Sequence, residues 1–328
     1  MKRVVASLVL ILALLFLASI GYGDHPVTIE ELIAVLSRPI GTNPQIEMIV
    51  FDLRLPRVLL ALLVGAGLAV AGAIAQAVMR NPLAEPGILG INAGAALAAV
   101  IVIVALHDAP IHLLPWAGFG GAMAMAAAIY GLSWRNGTTS LRIILIGIGL
   151  SALSGAATTF LAVSGDIHDV QRAMIWLAGS VYHADRAGVQ VLALWLVAPL
   201  ALALLSAREL DLIRFGDDVA QSLGQRVNLI RALMILLCTL LSGASVAAAG
   251  LIGFVGLVAP HMARRLVGPA HADLIPVSAL IGAALVMAAD LAGRTIIAPA
   301  QLPAGIVTAL IGSPFFAYLL WSRRHLAT

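Results

Sequence analysis

Three groups of residues in this 328-residue chain have the types that do chemistry. Residues 250–265 read GLIGFVGLVAPHMARR, so His261, Arg264 and Arg265 follow an apolar run and a proline. A histidine there could ligate a metal, two arginines could hold an anion, and all three could simply end a helix. His107, Asp108 and His112 crowd one short segment, and His168 and His183 lie in another. Neither spacing makes a convincing metal-ligand set. Asp290 stands inside an apolar stretch, where a carboxylate serves as an ion-pair partner or as a proton relay. Cys238 is the single cysteine and lies in an apolar run, which leaves no disulfide and argues against a metal cluster. Lys2 is the single lysine, so no Walker A lysine is available to hold the phosphates of ATP.

The elements that carry these residues are membrane helices. The chain is 61% hydrophobic and 11% charged, against about 25% charged in soluble domains. It has too little polar surface to coat a water-soluble globule, and its abundant Gly and Ala suit close helix approach in lipid. A span needs about 20 apolar residues. Ten runs qualify, near 4–22, 55–79, 88–106, 112–133, 141–163, 188–207, 228–249, 252–267, 274–296 and 304–322, the eighth being the shortest. The expectation is an all-α polytopic membrane protein, with the first run retained as a helix. With the N-terminus in the cytoplasm, thirteen basic residues fall inside and six outside, as the positive-inside rule asks. Scattered between apolar spans, they speak for membrane topology and against nucleic acid. Both termini are then cytoplasmic.

Three polar segments interrupt the spans. Residues 23–53 form an outer loop with an amphipathic helix at 28–36. Residues 164–187 form a second outer segment, with a short interfacial helix predicted over 171–181. Residues 207–227 form the longest cytoplasmic loop, read as two short helices broken at Gly216. An offset of 178 places Gly65, Gly72, Pro82 and Gly90 on Gly243, Gly250, Pro260 and Gly268. This suggests an inverted five-helix pseudo-repeat, with halves at about 1–187 and 188–328 of a single permease domain, an architecture common in transporters.

The motifs then resemble one family. RLPRVLLALLVGAGLAVAGAIAQAVMRNPLAEPGILGINAGAAL (54–97), GLIGFVGLVAPHMARRLVG (250–268), PVSALIGAALVMAADLAGR (276–294) and LPAGIVTALIGSPFFAYLL (302–320) are similar to FecCD permeases, in order and at the right spacing. LDLIRFGDDVAQSLG (210–224) resembles their cytoplasmic coupling loop. The resemblance implies a type II ABC importer permease of ten helices in the bacterial inner membrane, for ferric siderophores, with haem or cobalamin as the alternative cargo. It implies a second permease subunit, two ATPase subunits below, where ATP is hydrolysed, and a substrate-binding protein above. The permease itself then performs no catalysis and holds no cofactor or resident metal.

Site residues carry over position by position. Arg54, Arg57 and Arg294 match arginines that dock the binding protein; without the resemblance they read as snorkelling anchors. Leu210, Ile213, Gly216, Val219, Leu223 and Gly224 belong to the coupling loop. Asn81 and Leu83 match one cytoplasmic gate, Ser140 and Leu141 a second; alone, they read as an Asn-Pro turn and a helix N-cap. Pro260, His261, Arg264 and Arg265 become a helix end, and Asp290 a structural partner, with Arg294 one turn on. Trp176 matches the outer interfacial helix. Helices five and ten are expected to line the path with Gly147, Ala152, Ala309 and Gly312. Gln301 departs from the pattern, which has Glu before Leu-Pro-x-Gly. An ion-coupled secondary transporter is the rival class; it needs intramembrane ion sites, and only Asp290 qualifies. A membrane enzyme lacks a convergent catalytic set.

Overall fold

The computed structural model describes residues 1–23, 25, 27–37, 43–106, 109–110, 112–135 and 137–322. Arg38, His107, Asp108, Arg323 and Arg324, which entered the sequence reading, lie outside the described residues.

Eight helical stretches are long and apolar enough to cross a membrane. They contain α1 (Lys2–Gly21), α4 (Leu55–Val78), α6 (Leu113–Ser133), α7 (Ser140–Ser164), α9 (Arg186–Leu205), α12 (Val227–Ala249), α14 (His271–Thr295) and α15 (Ala304–Ser322). The third and eighth predicted spans are shorter than expected. The third is α5 (Ile91–Val100), continued by a π-helical turn to Ala105; the eighth is α13 (Val255–Val267). At 1.5 Å per residue these reach about 20 Å, against about 30 Å for the hydrocarbon core. The missing length is backbone outside the α-helices, at 79–90, which includes a single 3₁₀ turn at Pro86–Leu89, and at 250–254; Gly90 and Gly250 there take positive φ of 69° and 70°. Such backbone is tolerated at membrane depth only when protein covers it, and Ala84, Leu89, Gly90 and Ile252 are buried.

Short helices decorate the ends. They are α2 (Ile29–Ser37), α3 (Pro44–Glu47), α8 (Ile167–Leu177), α10 (Ala207–Arg214) and α11 (Asp217–Ser222). α2 opens with a reciprocal capping box: Thr28 Oγ1 accepts from the Glu31 N–H at 3.2 Å, and Glu31 Oε2 accepts from the Thr28 N–H at 2.8 Å. α8 begins four residues before the predicted 171, because Asp166 caps it by accepting from the His168 N–H at 2.9 Å.

α4 is the hub, buried on nearly every face and packed against α14, α12, α13 and α9. Backbones touch where glycines meet. A Cβ on Gly65 would lie 2.2 Å from the Gly282 carbonyl oxygen, and one on Gly72 would lie 1.9 Å from that of Gly256. These contacts seat α14 and α13 on α4 through dispersion, which drives helix association in lipid.

Of the residue pairs at offset 178, Gly65 and Gly243 fall inside the long helices α4 and α12, and the other three do not correspond. Gly72 lies inside α4 whereas Gly250 caps α12, and Gly90 precedes α5 whereas Gly268 follows α13. What does recur is the element pattern: a long buried helix and then a half-length one, α4–α5 and α12–α13.

Candidate translocation path and coupling surfaces

The arginine cluster at the predicted outer face lies at the first turn of α4. Arg54 is 6% exposed and donates to the carbonyls of Ile20 and Gly21 at the end of α1 and of His25 beyond it. Arg57 grips Asp290 of α14 through Nε at 2.9 and 3.0 Å and through Nη2 at 2.8 Å. Its Nη1 donates to Gln301 Oε1 at 2.9 Å, and its guanidinium lies 5.2 Å over the Tyr182 ring. Arg294 donates to the Ser19 carbonyl at 2.6 Å and stands 3.8 Å from Asp290. Asp290 pairs mainly with Arg57 rather than with Arg294 one turn on. All three arginines, expected to be exposed for docking, are turned inward and engaged within the chain. Gln301, the departure from the family pattern, serves as an acceptor for Arg57.

Beneath α8 lies a cavity of about 380 Å³, walled by Ile103, Leu114, Arg172, Trp176, His183 and Gly250. It leaves the inner face of α8 partly unsupported. Trp176 borders the cavity, and its ring also packs near Gly118 of α6.

α7 and α15 carry long apolar exposed faces, including Leu145, Ile148, Leu153 and Phe160 on α7 and Leu310 and Ile311 on α15. Of the small residues expected to line a path, Ala152 is exposed and Ala309 half-buried, but Gly147 and Gly312 are buried. They are seats instead. A Cβ on Gly147 would lie 2.6 Å from the Ile88 carbonyl oxygen, and one on Gly312 would lie 2.3 Å from Phe254 Cβ. Phe254 itself takes a positive φ of 65° and caps α13. The segments at 79–90 and 250–254 thus support the two exposed helices.

At the predicted cytoplasmic end, Asn81 Oδ1 accepts from the Leu83 N–H at 2.9 Å, closing a local turn. Leu83 packs against the small buried cluster of Leu257, Val258 and Leu319. Ser140 is not the N-cap of α7. Thr139 is, and the Ser140 hydroxyl donates instead to the Val78 carbonyl at 2.8 Å, tying α7 to the end of α4. Leu141 beside it is 67% exposed.

The loop at 207–227 has the predicted break at Gly216, where φ is 108°. Its apolar residues divide, which the sequence reading did not foresee. Leu210 and Ile213 of α10 are fully buried, whereas Val219 and Leu223 are exposed together with Phe215. Gly224 also takes positive φ and has open space around it. Two polar links pin the loop. Asp211 meets His271 Nδ1 at 2.6 Å, and Asp217 meets Arg231 Nη2 at 2.7 Å, with Arg231 wholly buried.

Pro260 sits inside α13, where its missing N–H cannot serve the Gly256 carbonyl four residues back. Gln76 of α4 supplies the donor: its Nε2 reaches the Gly256 and Leu257 carbonyls at 3.4 Å, and its Oε1 accepts from Arg264 at 2.9 Å. His261 is 5% exposed and packs edge-on against Phe315, ring centroids 5.7 Å apart. Arg265 is exposed. Among the described residues, no three His, Cys, Asp or Glu side chains form a metal-binding group.

The profile of the FecCD transport family matches residues 11–322. The chain belongs to the FecCD transport family. This permease is 44% identical to the achromobactin transport system permease CbrC of Dickeya dadantii, over 98% of this chain and 92% of that protein. It is also 44% identical to the iron(3+)-hydroxamate import system permease FhuG of Bacillus subtilis, over 84% of each. With the hemin transport system permease HmuU of Yersinia pestis it shares 38% identity over 99% of the chain and 97% of that protein. A solved structure described as an inward-facing conformation of a metal-chelate type ABC transporter superposes with a TM-score of 0.89 at 30% identity, covering 98% of this chain and 100% of the other.

Proposed function

We propose that this permease carries a ferric siderophore across the bacterial inner membrane as one of two membrane subunits of an ATP-driven importer. The observation that carries this reading is family membership over nearly the whole chain, with hydroxamate and achromobactin permeases at 44% identity. The hemin permease at 38% keeps haem as the second cargo. Transport here is conformational: ATP closes two separate ATPase subunits, the exposed side of α11 follows them, and α7 and α15 shift at the interface of two permeases.

Several features support the details. The apolar exposed faces of α7 and α15 suit a second permease and a path that a large chelate passes without tight binding. Val219, Leu223 and Phe215 offer an apolar patch to an ATPase, while buried Leu210 and Ile213 carry its motion into the core. Asn81 and Leu83 follow the end of α4, Ser140 and Leu141 open α7, and the Ser140–Val78 hydrogen bond ties the two ends together, a place suited to a gate. Arg54, Arg57 and Arg294 shape the outer surface that a binding protein meets. Direct pairing with its carboxylates requires them to exchange their present partners. The proposed orientation has both termini in the cytoplasm.

The test is ATPase stimulation. The permease is co-purified with the ATPase and binding protein encoded beside it, and hydrolysis is measured with and without loaded binding protein. Stimulation by a ferric-siderophore-loaded protein supports the reading. Stimulation by haem alone moves the cargo to the second reading, and transport driven by an ion gradient without ATPase subunits overturns the class.

A further inference from the structure

Helices α6, α12 and α9 lie side by side, with α12 in the middle. Toward the predicted outer face this layer is closed. Trp195 of α9 meets Trp116 and Phe119 of α6 with ring centroids 4.8 and 4.7 Å apart, and Phe119 packs against Gly243 of α12. Toward the cytoplasmic end α12 is uncovered: Leu229, Leu233 and Leu236 are 50%, 43% and 42% exposed. Their spacing of four and three residues puts them on one stripe. The stripe runs down into a groove of about 580 Å³ bordered by Tyr130, Trp134, Gln225, Arg226 and Asn228.

The head of this groove is polar in a specific way. Tyr130 and Trp134 form a tilted ring pair 5.9 Å apart at the end of α6, where aromatic side chains sit at a membrane–water interface. Tyr130 is fixed by donating to the Asn228 carbonyl at 3.1 Å. The Arg226 side chain is exposed and makes no hydrogen bond or ion pair among the described residues. Nearby Asp217 is already engaged by Arg231. Gln225 is 8% exposed, and its Nε2 donates to the Glu209 carbonyl and carboxylate. Both of those partners only accept, so the amide orientation is fixed. Its Oε1 is left buried in the groove wall without a donor.

We propose that this groove holds a glycerophospholipid of the cytoplasmic leaflet. The phosphate lies on Arg226, a donor of the head group answers Gln225 Oε1, and one acyl chain follows Leu229, Leu233 and Leu236. The layer closes above Leu236, so the site admits a lipid only from the leaflet on the Arg226 side. A cation at a lipid-facing interface complements the phosphate. The orphaned acceptor favours ammonium or glycerol head groups over trimethylammonium, which has no N–H. The groove and its charge do not depend on the cargo. Only the leaflet assignment rests on the orientation proposed above, which one-sided labelling of Ser222→Cys tests separately.

Native mass spectrometry of the permease, alone and bound to its ATPase subunits, decides the matter. Each form is offered phosphatidylethanolamine, phosphatidylglycerol, phosphatidylcholine or glycerol 3-phosphate. The expected result is retention of the first two lipids over phosphatidylcholine and no retention of glycerol 3-phosphate. Arg226→Gln lowers retention about fivefold, the equivalent of about 1 kcal/mol per basic residue at a membrane surface. Leu229→Ser/Leu233→Ser lowers it with Arg226 intact. Equal retention of phosphatidylcholine, indifference to Arg226→Gln, or loss of lipid when the ATPase binds overturns the proposal. The last result would make the groove an ATPase surface.

Discussion

Replacing Asp290 by Asn should damage this permease more than replacing Arg57 by Gln, although the two residues form one ion pair. Arg57 directs three nitrogen–oxygen contacts of 2.8 to 3.0 Å at Asp290, and the two side chains are 9% and 3% exposed. Breaking such a pair by removing one partner costs about 3–5 kcal/mol, because the other charge stays buried and uncompensated. The neighbourhood makes the two losses unequal. Without the Asp290 carboxylate, Arg57 and Arg294 remain as two buried cations, with Arg294 Nε only 3.8 Å from the vacated oxygen. Asp290→Asn should therefore reach the top of that range. Without Arg57, Asp290 keeps Arg294 one turn away, so Arg57→Gln should fall at or below its lower end. The double variant removes both charges and should be more stable than Asp290→Asn alone. The assay is thermal unfolding of detergent-purified protein followed by size-exclusion chromatography, with both single variants and the double completing a cycle. Equal losses in the two single variants, or a double variant whose loss is their sum, would refute the assignment of Arg57 as the main partner.

Other outcomes follow from the same geometry. Gln76→Leu should cost about 1–3 kcal/mol, since it leaves the Gly256 carbonyl without its substitute donor; chemical denaturation in mild detergent measures this. Gly72→Ala should abolish folded yield, because its Cβ has 1.9 Å to the Gly256 oxygen, whereas Gly131→Ala, with open space around it, should express normally. Leu223→Asp should reduce ATPase co-purification at least about tenfold, since an exposed apolar contact residue gains a charge to desolvate. Leu210→Asp should instead fail to fold, because that side chain is wholly buried. The Glu31 carboxyl is held below its usual range by the Thr28 N–H and hydroxyl. Its capping contribution should be present above the ordinary carboxylate range and lost as pH falls through the depressed value, which a carboxyl titration by NMR checks against Thr28→Ala.

Where one residue type had one physical meaning, the fold was legible in sequence. Apolar runs marked the long helices, and Gly216 marked the break in the loop at 207–227. The half-length of α5 and α13 was harder to read, because apolar Ile88, Leu89, Leu251 and Ile252 carry the runs into the turns before them; the signal was Gly90 and Gly250. Pro260 posed a question the sequence could not answer alone. The donor that repairs its lost hydrogen bond is Gln76, on another helix. Partner choice was least legible. Asp290 has a tempting neighbour at i+4, yet the bidentate geometry of Arg57 from α4 wins. Periodicity placed Leu210, Ile213, Val219 and Leu223 on amphipathic helices, but only packing decided that the first two face inward. For Arg54, Arg57 and Arg294, position at helix ends suggested exposure, and main-chain carbonyls and Asp290 drew them in.

The central claim is tested most directly by uptake. Proteoliposomes containing this permease, its ATPase subunits and the loaded binding protein are given radiolabelled ferric siderophore, with ATP enclosed beside the ATPase. The account predicts accumulation that requires ATP and the binding protein and falls sharply with Leu223→Asp. Accumulation that follows an imposed proton or sodium gradient and ignores ATP would contradict it.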